Sequence, residues 1–411
     1  MKRVVITGIG TVSPIGNNTD VFWKNLKEGN TGVAPITRFD ASQTGITVAA
    51  EVKDFDPTLT MDRKEYRRMD LFSQYGIAAS VEAHEMSGYD IASNAHRVGV
   101  LVSSGIGGLV EIENGIRKMI AKGPKRVPPL FVPLTIGNMG AGNISMKLGA
   151  KGISLDIVTA CASATNSIGE AFLKIQAGLL DAALAGGTEG TINEIGIAGF
   201  AALTALSTNE DPNTASRPFD RDRDGFVMGE GAGVVFMESL ESAQARGAEI
   251  LAEVVGYGAN SDAYHMTAPN PDGSGAGEAM KSAISMAGIE ASQVDYINAH
   301  GTSTPTNDSG ETVAIKYALG EHAYQVPISS SKGHFGHILG AAGGIEAIAC
   351  VKALQEGFIP TTLGLQNLDP ECDLDFVSGE GRNKELNYVL SNSLGFGGHN
   401  AVLCFKRWDG A

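Results

Sequence analysis

Residues 153–177 read ISLDIVTACASATNSIGEAFLKIQA, and this stretch decides the fold class. Its apolar opening, Ile153–Val158, predicts a buried strand, and Asn166–Ala177 has the spacing of a helix. Between them a run of small residues surrounds one cysteine, Cys161. Working outward, Val4–Ile6, Val98–Val102 and Ala182–Ala185 read as further buried strands, and Gln74–Glu85 as another helix. Short apolar runs alternating with longer helical stretches predict an α/β protein on a largely parallel sheet. Glu238–Gly247 reads as a polar helix stopped by a glycine, with a new strand over Leu251–Val255. The division into two halves is set there, at 1–250 and 251–411. The halves echo each other: IVTACASATNSIGE (157–170) and INAHGTSTPTNDSGE (297–311) each run from an apolar strand through a reactive residue to hydroxyls and a helix. The echo sets Cys161 and His300 at matching strand ends, where ligands of open α/β sheets gather.

Composition narrows the function. The chain has 411 residues, 43% hydrophobic and 19% charged, which is ample material for a core and excludes wholesale disorder. Its 53 glycines follow no collagen period. Lys+Arg minus Asp+Glu is 31 − 46 = −15, so the surface as a whole repels nucleic acid. No apolar run reaches the roughly 18 residues of a membrane span. The opening MKRVVITGIGTVSPIG reads as a first strand and turn, not a signal peptide. Four cysteines without CxxC spacing argue against zinc and disulfides and for a cytoplasmic protein.

Cys161 precedes a run that opens a helix, where free N–H groups and the helix dipole lower a thiol's pKa. On local pattern alone it stays open between nucleophile and buried structural cysteine. Cys350, mid-helix among apolar residues, reads as a buried structural cysteine, and Cys372 and Cys404 have no reactive context. His300, in NAHGTSTPTND, and His337, in SSSKGHFGHILGAAGG, sit at strand-to-helix turns beside hydroxyls. With Lys332 they make a constellation for acyl transfer on Cys161. The strings GIGG (105–108), GEGAG (229–233) and GFGG (395–398) lack the context of nucleotide loops. A tight turn at Gly395–Gly398 would aim N–H groups at a reacting carbonyl.

Together TACASATNSIGEA (159–171), NAHGTSTPTND (298–308), SSSKGHFGHILGAAGGIEA (329–347) and SNSLGFGGHNAVL (391–403) resemble the β-ketoacyl-acyl carrier protein synthases, and among them the synthase II branch of type II fatty acid synthesis. The resemblance implies a thiolase-like fold, two related α/β halves stacked in five layers (αβαβα), assembled as a homodimer. It implies that Cys161 takes an acyl chain from acyl-ACP, and that malonyl-ACP is decarboxylated and joined to it as 3-oxoacyl-ACP. His300 and His337 would hold the enolate, Lys332 and Glu346 would support them, and Phe396 would gate the site and complete an oxyanion hole. Thr302 and Thr304 would bind the carrier's pantetheine arm; Ile106, Phe131 and Phe200 would line the acyl tunnel. Lys64, Arg67, Arg68, Lys125 and Arg126 would dock the acidic acyl carrier protein. No redox cofactor is required; some family members hold a monovalent cation near Asn298, Glu346, Ser391 and Asn392.

The chain departs from the family at His334, Leu394 and His399, where many relatives have serine nearby, phenylalanine and threonine. His334 is taken as a turn residue, and Leu394 and His399 as changes that bear on gating. Other readings are a CoA-dependent thiolase, which needs a second cysteine as base; a silent partner subunit, which lacks the cysteine kept here; and a Cys/His hydrolase.

Overall fold

The computed structural model describes residues 1–410. β1 (Val4–Val12) is buried along its whole length, because it is covered on both faces. The sheet strands that follow are β2 (Val98–Ser103), β3 (Ser154–Leu155), β4 (Ala182–Glu189), β5 (Gly231–Ser239), β6 (Ala252–Ser261), β7 (Tyr296–Asn298), β8 (Ile328–Ser329), β9 (Tyr388–Gly395) and β10 (His399–Arg407). Their order is β3-β2-β4-β5-β1, then β6-β10-β9-β7-β8. Read from the outer edges inward, the two sets match strand for strand and direction for direction: parallel across the first three, antiparallel across the last two. The two sets meet through three residue pairs, Val4–Ile6 against Ala252–Val254.

Helix α1 (Leu71–Ser87) covers the outer face of the first sheet and α4 (Ser274–Met286) that of the second. A pair of glycines two residues apart, on β1 and again on β6, lets each come close. A Cβ on Gly8 or Gly10 would lie 1.9 or 2.1 Å from a carbonyl of Ala83 or Ala79, and one on Gly256 or Gly258 would lie 2.1 or 2.0 Å from a carbonyl of Ala283 or Ala279. Between the sheets lie α3 (Ser163–Gln176) and α6 (Ala342–Glu356), the latter buried on nearly all sides, as its run of Ala, Gly and Ile requires. The layers are therefore helix, sheet, helix, sheet, helix. α2 (Leu109–Lys122) and α5 (Pro305–Leu319) occupy the connections after β2 and β7.

Three readings are corrected. The sheet is mixed: β1 runs antiparallel to both neighbours. A strand buried on both faces shows the same continuous apolar run whichever way its neighbours point. Of Ile153–Val158 only Ser154–Leu155 pairs, at the open edge, because Asp156 turns away to accept the N–H of Ser104 at 3.1 Å. Glu238 and Ser239 still belong to β5, and the helix after them spans only Leu240–Ala245. The strand order also reassigns the internal echo. β3, before Cys161, matches β8, before Lys332 and His337, while the counterpart of β7 and His300 is β2 and the turn at Ser104–Gly107.

Candidate active site

Cys161 lies in a three-residue turn, Ala160–Ala162, entered by Ala160 at φ +50°. That left-handed step is costly for a residue with a Cβ and lifts the cysteine out of the line of α3. The GFGG turn closes over it: a Cβ on Gly395 would lie 2.6 Å from the carbonyl of Thr159 and 3.2 Å from the N of Cys161. The N–H groups of Phe396 and Cys161 lie close enough to the sulfur to pull its pKa down. An oxyanion hole requires two N–H donors converging where the carbonyl oxygen of a thioester on that sulfur would lie, and a pair beside the nucleophile suits that place.

His300 follows β7 and His337 follows the helical turn Lys332–Phe335. Their rings stand 5.3 Å apart at 87°. Both line a cavity of about 280 Å³ with Cys161, Thr302, Thr304, Phe200 and Phe396. Burial and the Lys332 charge hold both imidazoles well below their ordinary pKa, so they are neutral near pH 7. Lys332 is fully buried. Its ammonium bonds Glu346, donates to the carbonyl of His300 at 2.6 Å, and faces His300 Nδ1 at 3.4 Å. A donor at Nδ1 leaves the proton of neutral His300 on Nε2.

The thiol departs from expectation. Burial pushes Cys161 up to about 12, more than Lys332 and the two N–H groups pull it down. The helix-dipole argument names a real term that desolvation outweighs.

The predicted peripheral residues divide. Phe200 stacks edge-on to Phe226 at 5.6 Å, and Phe226 to His337 at 5.1 Å, making one wall. Thr302 and Thr304 join hydroxyls at 2.9 Å. Ile106 and Phe131 do not reach the cavity: Ile106 is 38% exposed, and the Phe131 ring lies over Gly115 of α2. Lys64, Arg67, Arg68, Lys125 and Arg126 are all exposed, and among the described residues none forms an ion pair. His334 is buried away from the cavity, its ring nitrogens 3.1 and 3.0 Å from the carbonyls of Asn30 and Thr361. Leu394 lines the cavity, and the His399 ring lies beside Gly397.

Among the described residues eight buried side-chain oxygens lack a hydrogen-bond partner, and four of them belong to the residues named for a cation: Asn298 Oδ1, Glu346 Oε2, Ser391 Oγ and Asn392 Oδ1. Asn298 and Ser391 are paired in register, and Ser391 lies by Cys350, one helical turn from Glu346. Asn392 faces the other way, its amide donating to Glu311 at 3.1 Å. Three hard oxygen donors on one face fit a monovalent cation; the Asn392 side chain does not join them.

Sequence reasoning missed two carboxylates of α5. Glu311 accepts the N–H groups of His300 and Gly301, each at 2.8 Å, and Asp308 accepts that of Thr302 at 3.0 Å. Burial raises Glu311 to about 7 against those donors. The signal was present as two acids three apart, NDSGE, directly after the histidine.

Comparison with known proteins settles the family. Residues 1–243 match the model of the β-ketoacyl synthase N-terminal domain, and residues 251–366 that of the C-terminal domain. The chain belongs to the β-ketoacyl synthase family. It is 51% identical over 410 residues to 3-oxoacyl-[acyl-carrier-protein] synthase 2 of Synechocystis sp., covering 99% of both chains. It is 52% identical over 409 residues to the protein of that name from Staphylococcus aureus, again covering 99% of both. Among solved structures, a type II PKS acyl carrier protein in complex with its ketosynthase bound to the hexaketide aligns with TM-score 0.92 and 31% identity, covering 99% of this chain and 100% of that one. No helix of the described residues is long and apolar enough to cross a membrane.

Proposed function

We propose that this β-ketoacyl synthase is an elongating condensing enzyme, a 3-oxoacyl-[acyl-carrier-protein] synthase of type II fatty acid synthesis. The observation that carries this reading is one cavity holding Cys161, two neutral imidazoles and the paired N–H groups of Cys161 and Phe396. Cys161 sulfur attacks the thioester of acyl-ACP, and the displaced carrier thiol takes the proton. The tetrahedral oxygen formed on the way rests on the two N–H groups, each worth about 3–4 kcal/mol when pre-aimed. Malonyl-ACP then binds with its thioester oxygen toward His300 and His337. Their N–H groups hold the negative oxygen as the carbon–carbon bond to CO2 breaks. The resulting carbanion attacks the Cys161 thioester, expelling the thiolate and giving 3-oxoacyl-ACP. Neutral histidines suit this role because they donate without surrendering a proton to the enolate. Thr302 and Thr304, at the cavity wall, suit the amides of a pantetheine arm.

The partner is an acyl carrier protein, supported by five exposed, unpaired basic residues on a chain of net charge −15. A homodimer is supported by an asymmetry of the sheet edges. β8 is covered by its own chain, through Ile328 N to Asp375 O at 2.9 Å and Val377 N to Ile328 O at 2.8 Å. β3 is open, near exposed Ile153 and Val158. A second copy on that edge would also enclose Ile106 and Phe131, completing the tunnel. A monovalent cation on Asn298, Glu346 and Ser391 would satisfy three of the unpartnered oxygens and hold Glu346 in place for Lys332. No redox cofactor enters the reaction, and four free thiols suit a reducing compartment such as the cytoplasm.

The direct test is intact-protein mass spectrometry after incubation with acyl-ACP alone. One acyl mass should appear on the peptide holding Cys161 and vanish in Cys161→Ala. An acyl mass elsewhere, or none, rejects the reading.

A further inference from the structure

The duplication that builds the fold also duplicates the turn that presents Cys161. Ala160–Ala162 leads into α3 with Ala160 at φ +50°, and Leu339–Ala341 leads into α6 with Leu339 at φ +44°. Matching the halves by strand order sets Gly340 opposite Cys161. At the first turn, the N–H of Cys161 lies with that of Phe396 beside the sulfur that lines the catalytic cavity. At the second, the N–H of Gly340 already has an occupant. Glu189 Oε2 accepts it at 3.0 Å and accepts the N–H of Gly105 at 2.8 Å, while Oε1 accepts the hydroxyl of Ser104 at 2.8 Å.

Glu189 ends β4, the counterpart of β9, which ends at Gly395 of the GFGG turn. It is fully buried and, among the described residues, has no cation in ion-pair reach. A Cβ on Gly340 would stand 2.3 Å from Gly105 N and 2.8 Å from Glu189 Oε2, so the two turns meet only because residue 340 is glycine. The result is a backbone cradle for a carboxylate, filled from within. It sits three residues beyond His337, and the intervening Leu339 lines the catalytic cavity.

We infer that the Leu339–Ala341 turn is a second anion hole, plugged by the carboxylate of Glu189, and that the plug makes Glu189 a positioning residue for His337. Emptying the hole leaves three donors without an acceptor and frees the turn that follows the histidine. The anion hole stands on geometry alone; the effect on His337 rests on the condensing reading.

The test is chemical rescue of Glu189→Ala in the full-length protein, with sodium formate against sodium chloride at equal ionic strength. Formate should raise the thermal midpoint of the variant saturably and leave the wild type unmoved. CO2 release from malonyl-ACP should fall at least tenfold while acylation of Cys161 stays within threefold, and formate should restore at least half the loss. Formate acting no differently from chloride overturns the anion hole. Equal losses in both half-reactions, or none, overturn the positioning role. Should the alanine variant not fold, Glu189→Asp retains the charge but is too short to reach both turns. It should show the same selective loss, and wild-type behaviour would overturn the proposal. Failure of the condensing reading would show separately, as a wild type that neither acylates nor releases CO2.

Discussion

Replacing Lys332 by methionine tests the support of the site. Lys332 and Glu346 are both fully buried, and all three ammonium hydrogens are directed, to Glu346, to the His300 carbonyl and to His300 Nδ1. Lys332→Met strands Glu346, whose second oxygen already lacks a protein partner. Breaking one side of a buried pair costs about 3–5 kcal/mol. At ~2.1 cal/mol/K per residue the unfolding entropy of this chain is roughly 0.9 kcal/mol/K, so the melting temperature should fall by about 3–6 °C. Activity should fall further than stability. His300 loses the group that fixes its tautomer, and Cys161 loses the charge that draws its thiol down, so kcat should drop about a hundredfold or more. Lys332→Met/Glu346→Leu separates the effects. It removes the stranded charge and should recover most of the melting temperature while remaining as inactive as the single variant. Calorimetry and condensation assays on the wild type, both single variants and the double variant read this out. A double variant that regains activity, or a single variant as stable as the wild type, would refute the reasoning.

Cys161→Ala should abolish 3-oxoacyl product; continued product in a discontinuous assay would remove the cysteine from the reaction. Lys64→Glu/Arg67→Glu/Arg68→Glu should lower kcat/KM for acyl-ACP at least tenfold at low salt, with little change in kcat and a flatter salt dependence; an unchanged salt slope would place docking elsewhere. Stability should fall as pH rises from about 6.5 through about 7. Asp70, Glu230 and Glu311, each raised to about 7, hold protons that the unfolded chain releases earlier. Below about 6.5 the buried neutral histidines, with lowered pKa, oppose this trend. Thermal melts at close pH intervals check the window, and a melting temperature that climbs across it would contradict the assignment. Val158→Lys, at the open sheet edge, should shift the protein toward monomer in analytical ultracentrifugation, and an unmoved mass would leave that edge free.

The catalytic set was legible because its chemistry is local. Cys161 stands out among small residues, and the histidines stand at turns beside hydroxyls, so each announces itself within a dozen residues. Strand direction was not legible, since β1 and β4 are buried on both faces and carry no periodicity to orient them. The true partner of the Cys161 turn was hidden for a related reason. Leu339–Gly340–Ala341 shares a backbone path with Ala160–Cys161–Ala162, not a reactive side chain, and the eye is drawn to His300 instead. The thiol's protonation was misjudged because the sequence displays the helix that lowers a pKa and conceals the enclosure that raises it. Glu189 acts only across long separations, through N–H and O–H groups that no residue pattern reveals, whereas Glu311 lies within eleven residues of the backbone it holds and could have been found.

The most direct measurement mixes the protein with acyl-ACP and malonyl-ACP and follows the carrier thioesters by mass spectrometry. The account predicts a carrier thioester longer than the acyl donor by two carbons and bearing a 3-oxo group, with one CO2 released per product. Acetyl-ACP without extension, or unchanged carriers, would contradict it.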